Sequence, residues 1–296
     1  MLNGKTSTTF KRFKLKYYNS IGDIYGTHDW IADRAIIILY NHYPNDPIVN
    51  SIYNNQNHMR AYYLFGTELP DTMGIPSKPI NIETDNGNIL TRKDFYINHS
   101  VALREDGTMS KYHNENNLFR SARRIINNYT KNKDFKSDDQ ASAIFFGYIC
   151  HLIGDACYIH HVYKKPNKSI EQQSKGEILK RTRNTPEDIL WPYSPAITDI
   201  QLARNEFNKQ TETLEKILLY CVWHTFYGKA HSDGAFQEYI IPNWLWYKDI
   251  FIKKIDKNRE FDVYKKWWDG VIFHLNLAIF YTAVAINGLR FLYYSN

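Results

Sequence analysis

The sequence of 296 residues has few cysteines, no apolar leader and little excess charge. Its three cysteines are too few for a disulfide framework, and Cys150 and Cys157 are expected to pack as small buried side chains. The first 20 residues are basic but lack an apolar run of signal-peptide type, which favours an intracellular protein or one whose leader is not part of this sequence. The formal charge of +6 suits an anionic partner such as a phosphate ester, a phospholipid surface or nucleic acid, and equally an ordinary soluble surface.

Long hydrophobic runs are also scarce, and a single segment approaches the length of a membrane span. Residues 270–294 are largely apolar, but His274, Asn276, Asn287 and Arg290 interrupt them. A spanning helix needs about 20 predominantly apolar residues. We therefore expect a buried core helix in this segment and no transmembrane span.

Strand-like alternation and internal repeats are nearly absent, whereas helical periodicity is common. Helices are predicted in residues 28–43, 116–132, 138–156, 199–227 and 270–294. Thr27 is the predicted N-cap of the first of these helices, and the two aspartates that open the third suit a helix N-terminus.

Two segments fall outside this helical pattern. Residues 79–99 contain "DNGN", which predicts the turn of a small hairpin. Residues 164–186 are polar and are expected to form a surface excursion. The sequence predicts one all-α, multi-helix domain over residues 1–296, with this one small hairpin.

The densest group of titratable residues is "HLIGDACYIHH", residues 151–161, inside an otherwise apolar stretch. Buried polar groups need compensating partners. His151 and Asp155 are four residues apart on a predicted helix, so one face carries both within reach of a metal ion. At about 100° per residue, His160 lies about 180° from His151 and His161 about 80° from it, so His161 is the better third ligand if the helix bends slightly. A structural hydrogen bond between buried His151 and Asp155 is the competing interpretation.

Three further residues of metal-ligand type lie upstream. His28 falls in the first turn of an apolar helix, Asp71 follows a proline in a predicted loop, and His99 is close to a turn. Taken singly, each is better explained as a core histidine or an ordinary turn residue than as a metal ligand.

The segments around His28, Asp71, His99 and His151, taken in chain order, resemble the zinc-dependent phospholipase C family. Relatives of this family include the S1/P1 single-strand nucleases. "GTHDWIADRAI" (residues 26–36) is similar to the family's first-helix segment, and "GTELPD" (66–71) to its Gly-x-x-x-x-Asp loop. "DFYINHSVALREDGT" (94–108) resembles its His-Phe-Tyr segment, which Asp/Asn-Gly follows. "FFGYICHLIGDACYIHH" (145–161) is similar to its His-x-x-x-Asp-x-x-x-x-x-His helix. The similarity covers roughly residues 20–165.

The resemblance implies an all-α fold and two or three Zn²⁺ ions as cofactors. For the first zinc, the resemblance implies four ligands: Asp71, His99, His151 and Asp155. His28 would hold a second ion, with Asp155 bridging, and His161 would belong to a third. Asp71 would also serve as the general base, because it would lie beside a metal-activated water.

The family pattern is incomplete at two of these zinc sites. Family enzymes coordinate one zinc through an N-terminal Trp, so here Asp23, Asp29 or another group would substitute unless a processed terminus exists. The family's His-x-x-x-Glu pair is also missing. His224, on an apolar helix, is the candidate replacement that would share the third ion with His161; otherwise that site is altered or absent.

The third segment can be aligned in two ways. Its "FY" would place Asp94 where the family has histidine, whereas the following "REDGT" favours His99, which we adopt as the ligand.

The resemblance favours a phospholipase C that hydrolyses phospholipids or other phosphodiesters, with peripheral membrane contact through its abundant aromatic side chains. Two alternatives stay open. An S1/P1-type nuclease would use aromatic stacking and positive charge to bind single-stranded nucleic acid. A catalytically degenerate metal-binding relative would explain the missing His-x-x-x-Glu pair.

Overall fold

Helices make up most of the described structure. The computed structural model describes residues 26–73, 81–85, 87, 89–91, 100–104, 108, 118–163, 211–227 and 261–294. The α-helices in chain order are α1 (Thr27–His42), α2 (Pro47–Tyr53), α3 (Met59–Met73), α4 (Leu118–Lys131), α5 (Lys133–Lys136), α6 (Asp139–Ala156), α7 (Ile159–Val162), α8 (Thr211–Tyr227) and α9 (Phe261–Tyr294). A 3₁₀ turn, Gln56–His58, precedes α3. The predicted all-α fold class is confirmed.

The small hairpin predicted around "DNGN" is also present. Strand β1 (Asn81–Glu83) pairs antiparallel with β2 (Ile89–Thr91). The turn begins with a hydrogen bond from Gly87 N to Thr84 O at 2.9 Å. The side chain of Thr84 donates to Asp138 Oδ2 at 2.5 Å. This hydrogen bond connects the hairpin to the start of the long helix α6.

Helix α6 is the centre of the core. Every residue from 140 to 156 is buried, because α1, α3, α4, α8 and α9 all pack against it. Its N-cap is Asp138, whose Oδ1 accepts hydrogen bonds from Gln140 N and Ala141 N, as the predicted helix start requires. A helix that is apolar on all sides is a buried one. His151 and Asp155 therefore lie in the interior of the molecule.

Among the described elements, helices α3 and α6 make the most extensive contact. They cross at Gly66 and Gly147, where a Cβ on Gly66 would lie 2.1 Å from Ile144 O and one on Gly147 would lie 1.9 Å from Tyr63 O. Only glycine allows the two backbones to come this close. The crossing sets the positions of two nearby residues, Thr67 directly after Gly66 in α3 and His151 one turn after Gly147 in α6.

Two predictions about helix ends were wrong. The N-cap of α1 is Gly26 rather than Thr27, because the side chain of Asp29 reaches back to accept the Gly26 N–H at 2.8 Å. Asp71 lies in the last turn of α3 rather than in a loop, since α3 continues through Pro70 to Met73. Proline removes one backbone hydrogen bond, and so close to the helix end the loss does not stop the remaining turn from forming.

The C-terminal segment forms the core helix that its sequence predicts. α9 packs against α1, α6 and α8, and residues 282–290 are all buried. Within the described part of the chain, no helix combines the length and the apolarity that crossing a bilayer requires. The predicted surface excursion, residues 164–186, and residues 199–210 of the predicted fourth helix lie outside the described residues.

Candidate metal centre

Asp155 and His151 form the innermost part of the candidate site. They are one turn apart on α6, and His151 Nε2 lies 3.0 Å from Asp155 Oδ2. Their side chains are 0% and 1% exposed, respectively. The i, i+4 spacing on one helix therefore brings an imidazole and a carboxylate together in a place without bulk water.

Helix α1 adds His28 to this pair. His28 Nε2 lies 3.4 Å from Asp155 Oδ1, and the His28 ring stacks on His151 with 4.0 Å between ring centroids. The ring lies against the backbone of Gly154, where a Cβ would come within 2.5 Å of His28 Nδ1. With 23% of its side chain exposed, His28 marks the side on which the cluster reaches solvent.

His161 reaches the same carboxylate from the short helix α7. The chain turns at Cys157 and Tyr158 between α6 and α7, and His161 Nε2 lies 3.3 Å from Asp155 Oδ1. Three imidazoles thus surround one buried carboxylate, with His151 at Oδ2 and both His28 and His161 at Oδ1. His160 is also buried, and its ring packs near that of Tyr158.

The contact made by His151 Nδ1 shows which nitrogen of this ring carries a proton. His151 Nδ1 lies 2.6 Å from the backbone carbonyl of Thr67. A carbonyl oxygen can only accept, so Nδ1 carries the proton of this hydrogen bond. A neutral His151 therefore presents the lone pair of Nε2 to Asp155 Oδ2. His151 Nε2 and Asp155 Oδ2 would then be two hydrogen-bond acceptors 3.0 Å apart. Such a short distance is compatible with a second proton on His151 or with a cation close to both atoms.

The donor set fits zinc. Imidazole nitrogens and carboxylate oxygens are its usual ligands, and ligand atoms about 2.1 Å from a tetrahedral zinc lie roughly 3.4 Å from one another. The three nitrogen–oxygen distances around Asp155 are 3.0, 3.3 and 3.4 Å. Among the described residues, His28, His151 and Asp155 form a compact group in which each ligand atom is within 4.8 Å of the others. The carbonyl that orients His151 is the outer partner that a metal-bound histidine usually has.

The structure describes only some of the other predicted ligands. His99 and its alternative Asp94 lie outside the described residues, as does Asp23, and for Asp71 the description extends to the backbone alone. His224 is buried in α8, where its ring packs against that of Tyr220. The His224 backbone carbonyl accepts from His274 Nε2 at 3.2 Å. The compact group does not include His224, whose role as a ligand stays a prediction.

The cysteines near the centre are protonated packing residues. Burial raises the pKa of the Cys157 thiol well above its usual value, and the neighbouring Cys221 thiol raises it further. Burial likewise raises the pKa of the Cys150 thiol. Metal binding requires the thiolate form, so these side chains are suited to packing, as the sequence predicts. Burial also raises the pKa of Tyr148, with the Asp155 carboxylate as a second cause.

Two residues of the site have supporting roles that the sequence did not indicate. Thr67 contributes through its backbone carbonyl, and a backbone acceptor has no residue-type pattern to detect. Asp29, considered from sequence as a substitute metal ligand, accepts Gly26 N at Oδ2 and the Thr67 hydroxyl at Oδ1. Both its oxygens therefore take part in hydrogen bonds within the protein.

Comparisons with known proteins identify a family to which the chain is similar. No curated protein and no solved structure matches the chain significantly. The family model described as zinc dependent phospholipase C matches residues 27–277, a range that begins at the first residue of α1 and includes His28, His151, Asp155 and His161. Because the match spans most of the chain, the protein belongs to the zinc-dependent phospholipase C family.

Proposed function

We propose that this protein is a zinc-dependent phosphodiesterase that hydrolyses phospholipids, releasing a diacylglycerol-type alcohol and a phosphorylated headgroup. Membership of the phospholipase C family supports the reaction class. The observation that carries the proposal is the convergence of three imidazole Nε2 atoms on the buried carboxylate of Asp155. A neutral His151 presents the lone pair of Nε2 to this carboxylate, and a cation close to both atoms would stabilise that arrangement.

The proposed ligands serve two or three ions per chain. His151 and Asp155 would hold the first zinc, with Asp71 and His99 completing its coordination. His28 would hold a second ion together with Asp155, and His161 would belong to a third, which His224 is the candidate to share. Asp155 suits a bridging role because different imidazoles face its two oxygens.

Each of these side chains contributes to the chemistry in its own way. When bound, zinc would lower the pKa of a coordinated water and polarise the phosphoryl group. His151, held by Thr67 O, keeps the lone pair of Nε2 turned toward the centre. An Asp71 carboxylate oxygen would accept the proton of the attacking water, as a general base must. Exclusion of water around Asp155 strengthens each electrostatic interaction.

The first prediction concerns zinc binding and hydrolysis together. His151→Ala and Asp155→Ala should each reduce zinc affinity by more than the roughly 100-fold that loss of an outer-shell partner produces, because each removes a ligand atom. Zinc content is measured by elemental analysis, and activity with a chromogenic choline phosphodiester. His42→Ala is the control, because His42 is at the other end of α1, about 21 Å along the helix from His28.

The outcomes separate the three candidate functions. The proposal is supported if the wild-type protein binds zinc and cleaves the choline ester, and if both variants lose zinc binding and cleavage. Cleavage of single-stranded DNA in place of the ester would indicate the nuclease alternative. Zinc binding without either activity would indicate a degenerate relative, and full zinc content in both variants would overturn the proposed centre itself.

A further inference from the structure

Asp29 is a fully buried carboxylate next to a proposed zinc ligand in the sequence. Its exposed fraction is 0%, and it lies in the first turn of α1. Burial of a carboxylate is costly unless hydrogen bonds compensate it. Asp29 Oδ2 accepts Gly26 N at 2.8 Å, and Asp29 Oδ1 accepts the Thr67 hydroxyl at 2.6 Å. The two oxygens thus bind two different elements, α1 and α3.

The first of these contacts fixes His28. Gly26 is the N-cap of α1, and the hydrogen bond from its N–H closes the first helical turn, which contains His28. A carboxylate at this position is also stabilised by the helix dipole. The backbone orientation from which His28 reaches Asp155 is therefore set by Asp29.

The second contact leads to His151. Thr67 is fully buried, and its carbonyl accepts from His151 Nδ1 at 2.6 Å. Its hydroxyl proton is shared between Asp29 Oδ1 at 2.6 Å and Leu64 O at 2.7 Å. One residue thus joins Asp29 to His151 through two hydrogen bonds. The carbonyl holds His151 in the tautomer that leaves Nε2 available, so movement of Thr67 would rotate this imidazole.

We propose that Asp29 and Thr67 are positioning residues that jointly orient two zinc ligands, His28 and His151. This inference rests on the proposed zinc centre. Asp29 links α1 to α3, and Thr67 links α3 to α6, so a single chain of hydrogen bonds holds ligands from two helices in register. Outer-shell partners of this kind typically change metal affinity by about 10- to 100-fold when they are removed.

The structure offers a matched control for a purely structural effect. Asp138 is also a buried aspartate at a helix N-terminus, and it accepts two backbone N–H groups and the hydroxyl of the buried Thr84. It lies 13 residues from His151, about 20 Å along α6. Asp138→Ala and Thr84→Val therefore remove the same chemistry at a place remote from the proposed centre.

The test compares zinc affinities measured by competition with a chromogenic chelator at fixed pH. Asp29→Ala and Thr67→Val should each weaken zinc binding by about 10- to 100-fold. Thr67→Ser keeps the hydroxyl and should retain near wild-type affinity. Asp138→Ala and Thr84→Val should lower thermal stability while the zinc affinity stays within twofold of wild type. Nitrogen-15 NMR of the histidine rings should show a shifted His151 Nδ1–H signal in Thr67→Val and an unchanged one in Thr67→Ser, because the Thr67 carbonyl that accepts this proton remains in both variants while its link to Asp29 is lost in the first.

The inference and the proposed function fail in different ways. Wild-type affinity in both Asp29→Ala and Thr67→Val, or equal weakening in the Asp138 and Thr84 variants, would overturn the positioning role even if the enzyme is active. Zinc binding that responds as expected, in a protein that cleaves no phosphodiester, would support the positioning role and overturn the proposed function. If Asp29→Ala does not fold, the comparison of Thr67→Val with Thr67→Ser decides.

Discussion

At the scale of single residues, the absence of a side chain at Gly154 matters as much as any ligand. The His28 ring occupies the space where a Cβ would stand, with Nδ1 at 2.5 Å and Cε1 at 2.8 Å from that position. His28 is thereby confined between the Gly154 backbone and the ring of His151. Gly154, which directly precedes Asp155, thus determines how closely the His28 ring can approach α6.

Gly154→Ala should therefore separate zinc affinity from stability. Alanine favours a helix over glycine by about 1 kcal/mol, so the metal-free protein should unfold at an unchanged or slightly higher denaturant concentration. The Cβ would displace His28, and zinc affinity should fall on the order of tenfold. Chelator competition and urea unfolding measure the two quantities.

A double-mutant cycle provides the control for this prediction. If the effect acts through His28, Gly154→Ala should not weaken zinc binding further in a His28→Ala background. An equal loss in both backgrounds would show that the alanine disturbs the centre by another route.

At the scale of secondary-structure elements, the crossing of α3 and α6 determines the geometry of the centre. Gly66 and Gly147 allow backbone contact, and one residue after Gly66 the Thr67 carbonyl meets His151. Because Gly147 and His151 are one helical turn apart, a wider crossing would lengthen the Thr67–His151 hydrogen bond. Packing and ligand orientation are therefore linked through this contact.

Gly66→Ala and Gly147→Ala should each destabilise the protein by about 3 kcal/mol, because the new methyl group meets backbone atoms that cannot move aside without parting the helices. This cost exceeds the gain of about 1 kcal/mol in helix propensity. Urea unfolding measures the change. Asn127→Ala, on the exposed face of α4, is the control and should alter stability by less than about 0.5 kcal/mol. Increased stability in either glycine variant would contradict the close crossing.

At the scale of the whole molecule, an ion pair joins α9 to the connection between α1 and α2. Arg290 donates from Nη1 to Asp46, and its guanidinium lies 4.3 Å from the Tyr43 ring centroid. Asp46 is the N-cap of α2, where its Oδ1 accepts Val49 N at 3.0 Å. The contact thus ties the C-terminal helix to the connection between α1 and α2, and α1 also carries His28.

Asp46→Asn should reduce the free energy of unfolding by about 3 kcal/mol, because it leaves the buried Arg290 charge without its carboxylate. Asparagine is also a good N-cap, so the loss reflects the ion pair rather than the cap. The double variant Asp46→Asn/Arg290→Met should lose less than the sum of the single variants in urea unfolding. Strict additivity would contradict a direct interaction between the two residues.

The sequence by itself determined the features that depend on local spacing. Helical periodicity predicted the all-α class and the core helix at the C-terminus, and "DNGN" predicted the hairpin. The four-residue spacing of His151 and Asp155 placed both on one helical face, since helix geometry alone requires it. The ordered segments also indicated the family that the match over residues 27–277 shows. Local rules failed at Pro70, where the last turn of α3 forms despite the proline.

The tertiary structure alone decided which groups surround the Asp155 carboxylate and what orients them. His28 reaches it from α1, and His151 takes its tautomer from Thr67, 84 residues earlier in the chain. No local pattern encodes these contacts, because they depend on the distance at which helices cross. That distance is set by the missing Cβ atoms of Gly66, Gly147 and Gly154, whose effect appears only when another segment packs against them.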